Sequence, residues 1–75
     1  MSKLPRIPGS EAKRAFERAG FAEDRMRGSH CILKRDGHEY HLTIPLHKGK
    51  TLGPGLLKSL IQASGLSVDE FTSLL

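Results

Sequence analysis

The sequence predicts an α+β fold: a helix, a three-stranded antiparallel sheet, a second helix and a short C-terminal helix. Three observations carry this. Asp36-Gly37 separates two runs of alternating side chains, Cys31-Ile32-Leu33 and Tyr40-His41-Leu42-Thr43-Ile44, and Asp-Gly in that setting is a strong hairpin signal. Ala12, Ala15, Phe16 and Ala19 recur at i, i+3, i+4 and i+7 along one helical face. Ser67 with Glu70 has the spacing of a capping box, and Leu66 with Phe71 that of a hydrophobic staple. At 75 residues the chain reads as one domain, 1–75, near the size at which a single apolar core suffices without disulfides or a metal.

Taken in order, Met1 to Gly9 holds two prolines and no periodicity, so an extended lead-in pinned by Leu4 and Ile7 is expected. Ser10 is a natural N-cap for the first helix and Gly20 stops it. Lys13, Arg14, Glu17 and Arg18 fill its polar side and read as a solvated face. Phe21 to Arg25 reads as a short strand running into a charged turn, Arg25-Met26-Arg27-Gly28. After the hairpin, Pro45 ends the last strand because it cannot donate to the ladder, and His47 to Gly55 is a loop containing Gly and Lys. Pro54 suits a first helical position, and Leu57, Leu60 and Ile61 give that helix an apolar face ending at Gly65. Phe71, Leu74 and Leu75 of the last helix are expected to close the core.

A two-residue Asp36-Gly37 turn fixes a register in which Leu33 faces Tyr40, Ile32 faces His41, Cys31 faces Leu42 and His30 faces Thr43. Side chains alternate faces along a strand. One face then carries Cys31, Leu33, Tyr40, Leu42 and Ile44 and reads as core; the other carries His30, Ile32, Lys34, Glu39, His41 and Thr43. His30 therefore falls on the exposed face, just after the small residues Gly28 and Ser29.

Composition narrows the function classes. A chain this short has no room for a deep catalytic cleft, and no Walker loop, dinucleotide fingerprint or nucleophile elbow is present. One cysteine excludes an internal disulfide and agrees with a reducing compartment. No segment has the length of a membrane span or the apolar stretch of a signal peptide, so a cytoplasmic location is expected. The net charge of +4 points toward a polyanionic partner. Arg25 and Arg27 precede His30, and His47, Lys48 and Lys50 follow the last strand. If those two segments meet, they form either one phosphate-binding patch or an ordinary solvated rim.

The parts needed for RNA cleavage without a metal are a group titrating near neutrality and cations to stabilise charge on phosphorus. His30 supplies the first, Arg25, Arg27, Lys48 and Lys50 the second. Gly28 permits close approach of a ligand and Ser29 offers a hydroxyl. A histidine on a strand is more often structural, and its surroundings are what raise His30 above that reading. The cluster His38, His41 and His47 invites a metal, but it lacks paired ligand spacing, a second cysteine or a carboxylate triad, so no metal or cofactor is expected. Cys31 reads as a small core residue.

Several segments together resemble the HicA family of toxins from bacterial toxin-antitoxin pairs: Leu4-Pro5, Ala19-Gly20-Phe21, Arg27-Gly28-Ser29-His30, Thr43-Ile44-Pro45 with His47, and Gly65-Leu66-Ser67 with Phe71. Gly-Ser-His is the specific part. The resemblance implies a double-stranded-RNA-binding-domain-like fold and a metal-independent RNase that cleaves mRNA and inhibits translation, held silent by a HicB-type antitoxin. It maps the catalytic histidine to His30 and places His47 at a recurrent family position. Family members commonly carry a histidine or an aromatic residue where Cys31 stands, and a basic residue where Gly53 stands. Two alternatives remain open from the sequence: a non-catalytic RNA-binding module of the same fold, which would bind by shape and phosphate contacts, and a protein whose exposed sheet face docks another protein.

Overall fold

The computed structural model describes residues 4–75, so the first three residues of the expected lead-in, Met1-Ser2-Lys3, lie outside the described residues. The elements are α1 (Gly9–Arg18), β1 (Ala22–Arg27), β2 (His30–Lys34), β3 (Leu42–Pro45), α2 (Pro54–Ser64) and α3 (Val68–Ser73). The strands form one antiparallel sheet in the order β1-β2-β3. This is the expected α+β architecture, with the helix-sheet-helix order of a double-stranded-RNA-binding-like domain and a short helix added. No helix among the described residues is long and apolar enough to cross a membrane.

Local chemistry sets the helix ends. At the end of α1 the Phe21 N–H donates to the Phe16 carbonyl (3.1 Å) and the Gly20 N–H to the Glu17 carbonyl (3.0 Å), a Schellman closure made possible by Gly20 at φ 104°. Its start differs from expectation. The N-cap is Pro8, not Ser10, and Ser10 lies inside the helix. The reason is Gly9, where a Cβ would stand 2.1 Å from the Pro45 carbonyl oxygen. Glycine lets the first turn close against the end of β3. The lead-in is held as expected, with Ile7 buried, Leu4 packed on the core and the Leu52 N–H donating to the Ile7 carbonyl at 2.8 Å. Helix α2 starts at Pro54 and stops at Gly65, which has φ 82°. The capping box of α3 forms in both directions: the Glu70 N–H donates to Ser67 Oγ (3.0 Å) and the Ser67 N–H to Glu70 Oε1 (2.9 Å). The backbone and hydroxyl of Ser67 hold the Glu70 carboxyl below its usual pKa.

The core lies between the inner sheet face and the helices. Cys31, Leu33, Leu42 and Ile44 are fully buried there with Phe16, Leu57 and Phe71, and Phe16 meets Phe71 at 4.9 Å and Phe21 at 6.1 Å between ring centroids. Each such Leu, Ile or Phe side chain contributes about 1.5–3 kcal/mol on burial, whereas surface ion pairs such as Lys13–Glu17 (3.2 Å) contribute about 0–1 kcal/mol. The inner face therefore dominates the stability. Cys31 is a core residue as expected; burial, with the Glu23 carboxylate that accepts its S–H at 3.6 Å, pushes the thiol pKa up.

Three features of the sheet correct the sequence reading. First, Arg25-Met26-Arg27 is strand, not turn: β1 runs to Arg27, and a two-residue Gly28-Ser29 turn leads into β2. Gly28 takes φ 58° while among the described residues no non-glycine has positive φ, the pattern of a II′ hairpin turn. Asp24 is the extra residue of a bulge between Glu23 and Arg25. Second, the β2–β3 register is offset by two residues, pairing His30 with Pro45, Cys31 with Ile44, Ile32 with Thr43 and Leu33 with Leu42. The Asp36-Gly37 turn does form, with the His38 N–H donating to the Arg35 carbonyl at 3.0 Å, but the chain then leaves the ladder, and β3 begins only at Leu42. Glu39 and His41 thus precede the strand, and Tyr40, expected in the core, is 60% exposed. Third, Ile32 lies on the outer face yet is only 7% exposed; it sits in the central strand, flanked by its cross-strand partners Arg25 and Thr43.

His38 explains why the chain leaves the ladder. Its Nε2–H donates to the Ala63 carbonyl at the end of α2 (2.6 Å), and its Nδ1 accepts from Arg35 Nη2 (3.3 Å). The ring meets Phe21 edge-on at 5.3 Å. Arg35 also donates to the Ala19 carbonyl (3.3 Å) and lies over the Phe21 ring at 4.8 Å. This clasp joins the β2–β3 loop to the C-terminal ends of α1 and α2.

Candidate active site

Opposed residues in an antiparallel sheet share a face, so the register assembles the outer surface directly. Arg27 on β1 pairs with His30 on β2, which pairs with Pro45 on β3. His47 is two residues past Pro45 and returns to the same side. The His30 and His47 ring centroids are 6.2 Å apart with the rings at 81°, and both residues are exposed. Among the described residues no hydrogen bond engages either ring.

The backbone around this pair is well anchored. The Leu46 N–H donates to the Ser29 carbonyl at 2.7 Å, extending the ladder past Pro45, and the Lys50 N–H donates to the His47 carbonyl at 3.1 Å. Gly49, at φ 79°, supplies the positive φ that closes this turn. His47 is thus fixed on both sides, at one edge of the sheet and at the start of a tight turn. Close packing of Gly9 on the Pro45 carbonyl places the first turn of α1 beside the same loop.

Two concavities flank the histidines. Arg27, His30, Ile32 and Thr43 line a shallow depression of about 270 Å³. His47, Lys48 and Lys50 line a cleft of about 550 Å³ with Pro8, Gly9, Ser10, Leu46, Gly49 and Thr51. The surface is open, as a chain of this size demands. Of the expected cations, Arg27 stands opposite His30, and Lys48 and Lys50 lie in the cleft with His47. Arg25 stands one pair further along, opposite Ile32, with its guanidinium 3.7 Å from Asp24, which also lies 3.5 Å from Lys34. Gly28 and Ser29 form the turn that delivers His30, and the space where a Gly28 Cβ would stand is empty to 4 Å.

A model of the HicA toxin of bacterial toxin-antitoxin systems matches residues 9–66. The chain belongs to the HicA toxin family. The match runs from the first residue of α1 to the residue before the α3 cap, so it contains every candidate site residue. No curated protein matches the chain. As a HicA toxin it is one half of a toxin-antitoxin pair, which implies a cognate antitoxin. Within this HicA chain the four histidines are divided. His30 and His47 share the outer face, His38 belongs to the loop clasp and His41 is exposed ahead of β3. Among the described residues no three His, Cys, Asp or Glu side chains converge as metal ligands. Sequence reasoning left out Ile32 and Thr43 as lining residues of the depression; the period-two pattern had put both on the outer face, and only the observed register shows that they pair.

Proposed function

We propose that this HicA toxin is a metal-independent endoribonuclease that cleaves mRNA and so inhibits translation, with His30 as general acid/base. The observation that supports this most is an exposed imidazole on an open strand face, engaged by no hydrogen bond among the described residues, with Arg27 as its cross-strand partner. Imidazole changes charge near neutral pH, so it can take or return a proton at a ribose hydroxyl without a metal. Arg27 offers two parallel donors to a phosphate, and Arg25, Lys48 and Lys50 extend positive charge along a backbone path. Gly28, Ser29 and His47 complete the RNA-contacting set. A deep pocket is unnecessary because the RNA chain supplies its own binding surface on both sides of the cleaved bond.

The same openness bears on control. Nothing among the described residues covers His30, so it is silenced most simply by a surface laid over the outer face, and the cognate antitoxin is proposed to be of the HicB type and to present carboxylates to Arg25, Arg27 and the Lys48–Lys50 turn. Charge complementarity would also speed its capture of the toxin. Cytoplasmic action follows from the substrate.

Antitoxin-free protein incubated with RNA in EDTA is expected to yield fragments ending in 2′,3′-cyclic phosphate and 5′-hydroxyl. His30→Ala should lower the rate by about 100-fold or more with an unchanged circular dichroism spectrum. RNA bound but left intact by the wild type would replace this reading with a non-catalytic RNA-binding module.

A further inference from the structure

We propose that His47 is the second proton-transfer group of the reaction, working as an acid–base pair with His30 on opposite sides of one phosphodiester. This rests on the ribonuclease reading above and adds a residue to it. Transesterification by a 2′-hydroxyl needs two proton movements. The 2′-oxygen loses a proton as it bonds to phosphorus, and the 5′-oxygen gains one as its bond to phosphorus breaks. The products are a 2′,3′-cyclic phosphate and a free 5′-hydroxyl. One imidazole, neutral at the start, takes the first proton; the other, protonated at the start, gives the second; exchange with water then restores both. A single histidine has to do both jobs, or leave the departing alkoxide unprotonated.

The geometry suits a pair. Each imidazole nitrogen must come within about 2.6–3.2 Å of its oxygen, and the two oxygens lie on opposite sides of the same phosphorus, so the rings must be neighbours without bonding each other. His30 and His47 stand 6.2 Å apart and nearly perpendicular, with both rings exposed. His47 is held there by the Leu46–Ser29 and Lys50–His47 backbone bonds. Contrast with His38 is informative, since both nitrogens of that ring are occupied by protein partners. The charged groups facing the pair are Arg27 from β1 and Lys48 and Lys50 from the loop. Of the nearby carboxylates, Asp24 is engaged by Arg25 and Lys34, and Glu11 of α1 lines a separate depression with Arg14 and Arg18.

The test compares wild type, His30→Ala, His47→Ala and His47→Gln on an RNA dinucleotide and on a uridine 3′-aryl phosphate, whose phenolate departs without a proton. On RNA, His47→Ala and His47→Gln should each lose about 100-fold in kcat, and the bell-shaped pH profile of the wild type should lose one limb. On the aryl ester, one of the two alanine variants should recover most of the wild-type rate and the other should not, which identifies the acid and the base. A His47→Ala loss confined to KM with the bell intact would make His47 a phosphate contact and overturn the pairing, as would near-normal kcat or a failure of both variants to recover. Wild type inactive on both substrates would overturn the ribonuclease reading itself.

Discussion

Two histidines at opposite ends of the sheet have opposite fates. His38 has both nitrogens hydrogen-bonded, to Ala63 and Arg35, and its ring packed on Phe21. His30 is exposed, with Arg27 as its cross-strand partner and a second imidazole 6.2 Å away. The residue type is the same, so the difference lies in what each ring has left to bond. A histidine whose donor and acceptor are both satisfied is a cross-link; one that is placed but unbonded can exchange protons with a ligand. The strand that carries His30 has its inner side chains, Cys31 and Leu33, in the core, so rigidity is supplied from behind and the outer face is left for chemistry.

That contrast can be sharpened by substitution. Beyond His30 itself, the largest effect expected is from His38→Ala, which strands the Ala63 carbonyl and an Arg35 donor. Chemical denaturation should show a loss of about 1–3 kcal/mol, while the cleavage rate per folded molecule stays within a few-fold of wild type. Unchanged stability would remove the clasp from the account.

Next is the α3 cap, whose two reciprocal hydrogen bonds involve neither histidine. Ser67→Ala should cost about 1 kcal/mol in the same assay. Because Ser67 lowers the Glu70 pKa below its ordinary 4.5, this carboxylate stabilises the fold above that pH and its contribution fades as pH falls through the lowered folded value. An acid titration of stability should therefore be flatter for Ser67→Ala than for wild type, with RNA cleavage near neutral pH unaffected.

The smallest effect separates the two arginines beside His30. In a cleavage-dead background, Arg27→Ala should reduce the salt slope of RNA binding by about one. Arg25→Ala should reduce it less, because Asp24 already stands 3.7 Å from that guanidinium. Fluorescence anisotropy across a salt series decides this, and equal slopes for the two variants would show that Asp24 does not discount Arg25.

Much of the fold was legible because helix ends are written locally: Gly20, Pro54, Gly65 and the Ser67–Glu70 box each act within one turn. Face assignment also survived an error in register. A slip of two residues preserves alternation, so Cys31, Leu33, Leu42 and Ile44 reached the core although their partners were misassigned. Tyr40 did not, because the Arg35–His38 clasp, a contact with α1 and α2 invisible in local pattern, draws the chain off the ladder. Arg25-Met26-Arg27 read as a turn because charge masks strand character at a sheet edge.

The candidate site shows the same division. The exposed position of His30 was legible from Gly-Ser-His and the hairpin, but whether the segment carrying His47 meets it was left open. With Thr43 opposite, His47 would lie four residues beyond the partner of His30; with Pro45 opposite it lies two beyond, about 7 Å closer along the strand. Long-range register brings the two rings together.

The most direct measurement is the rate of RNA cleavage and the unfolding free energy of His30→Ala and His38→Ala, taken side by side on antitoxin-free protein. The account predicts that His30→Ala loses about 100-fold or more in rate at stability within about 0.5 kcal/mol of wild type, and that His38→Ala keeps the rate and loses stability. RNA cleaved by His30→Ala at the wild-type rate would contradict it.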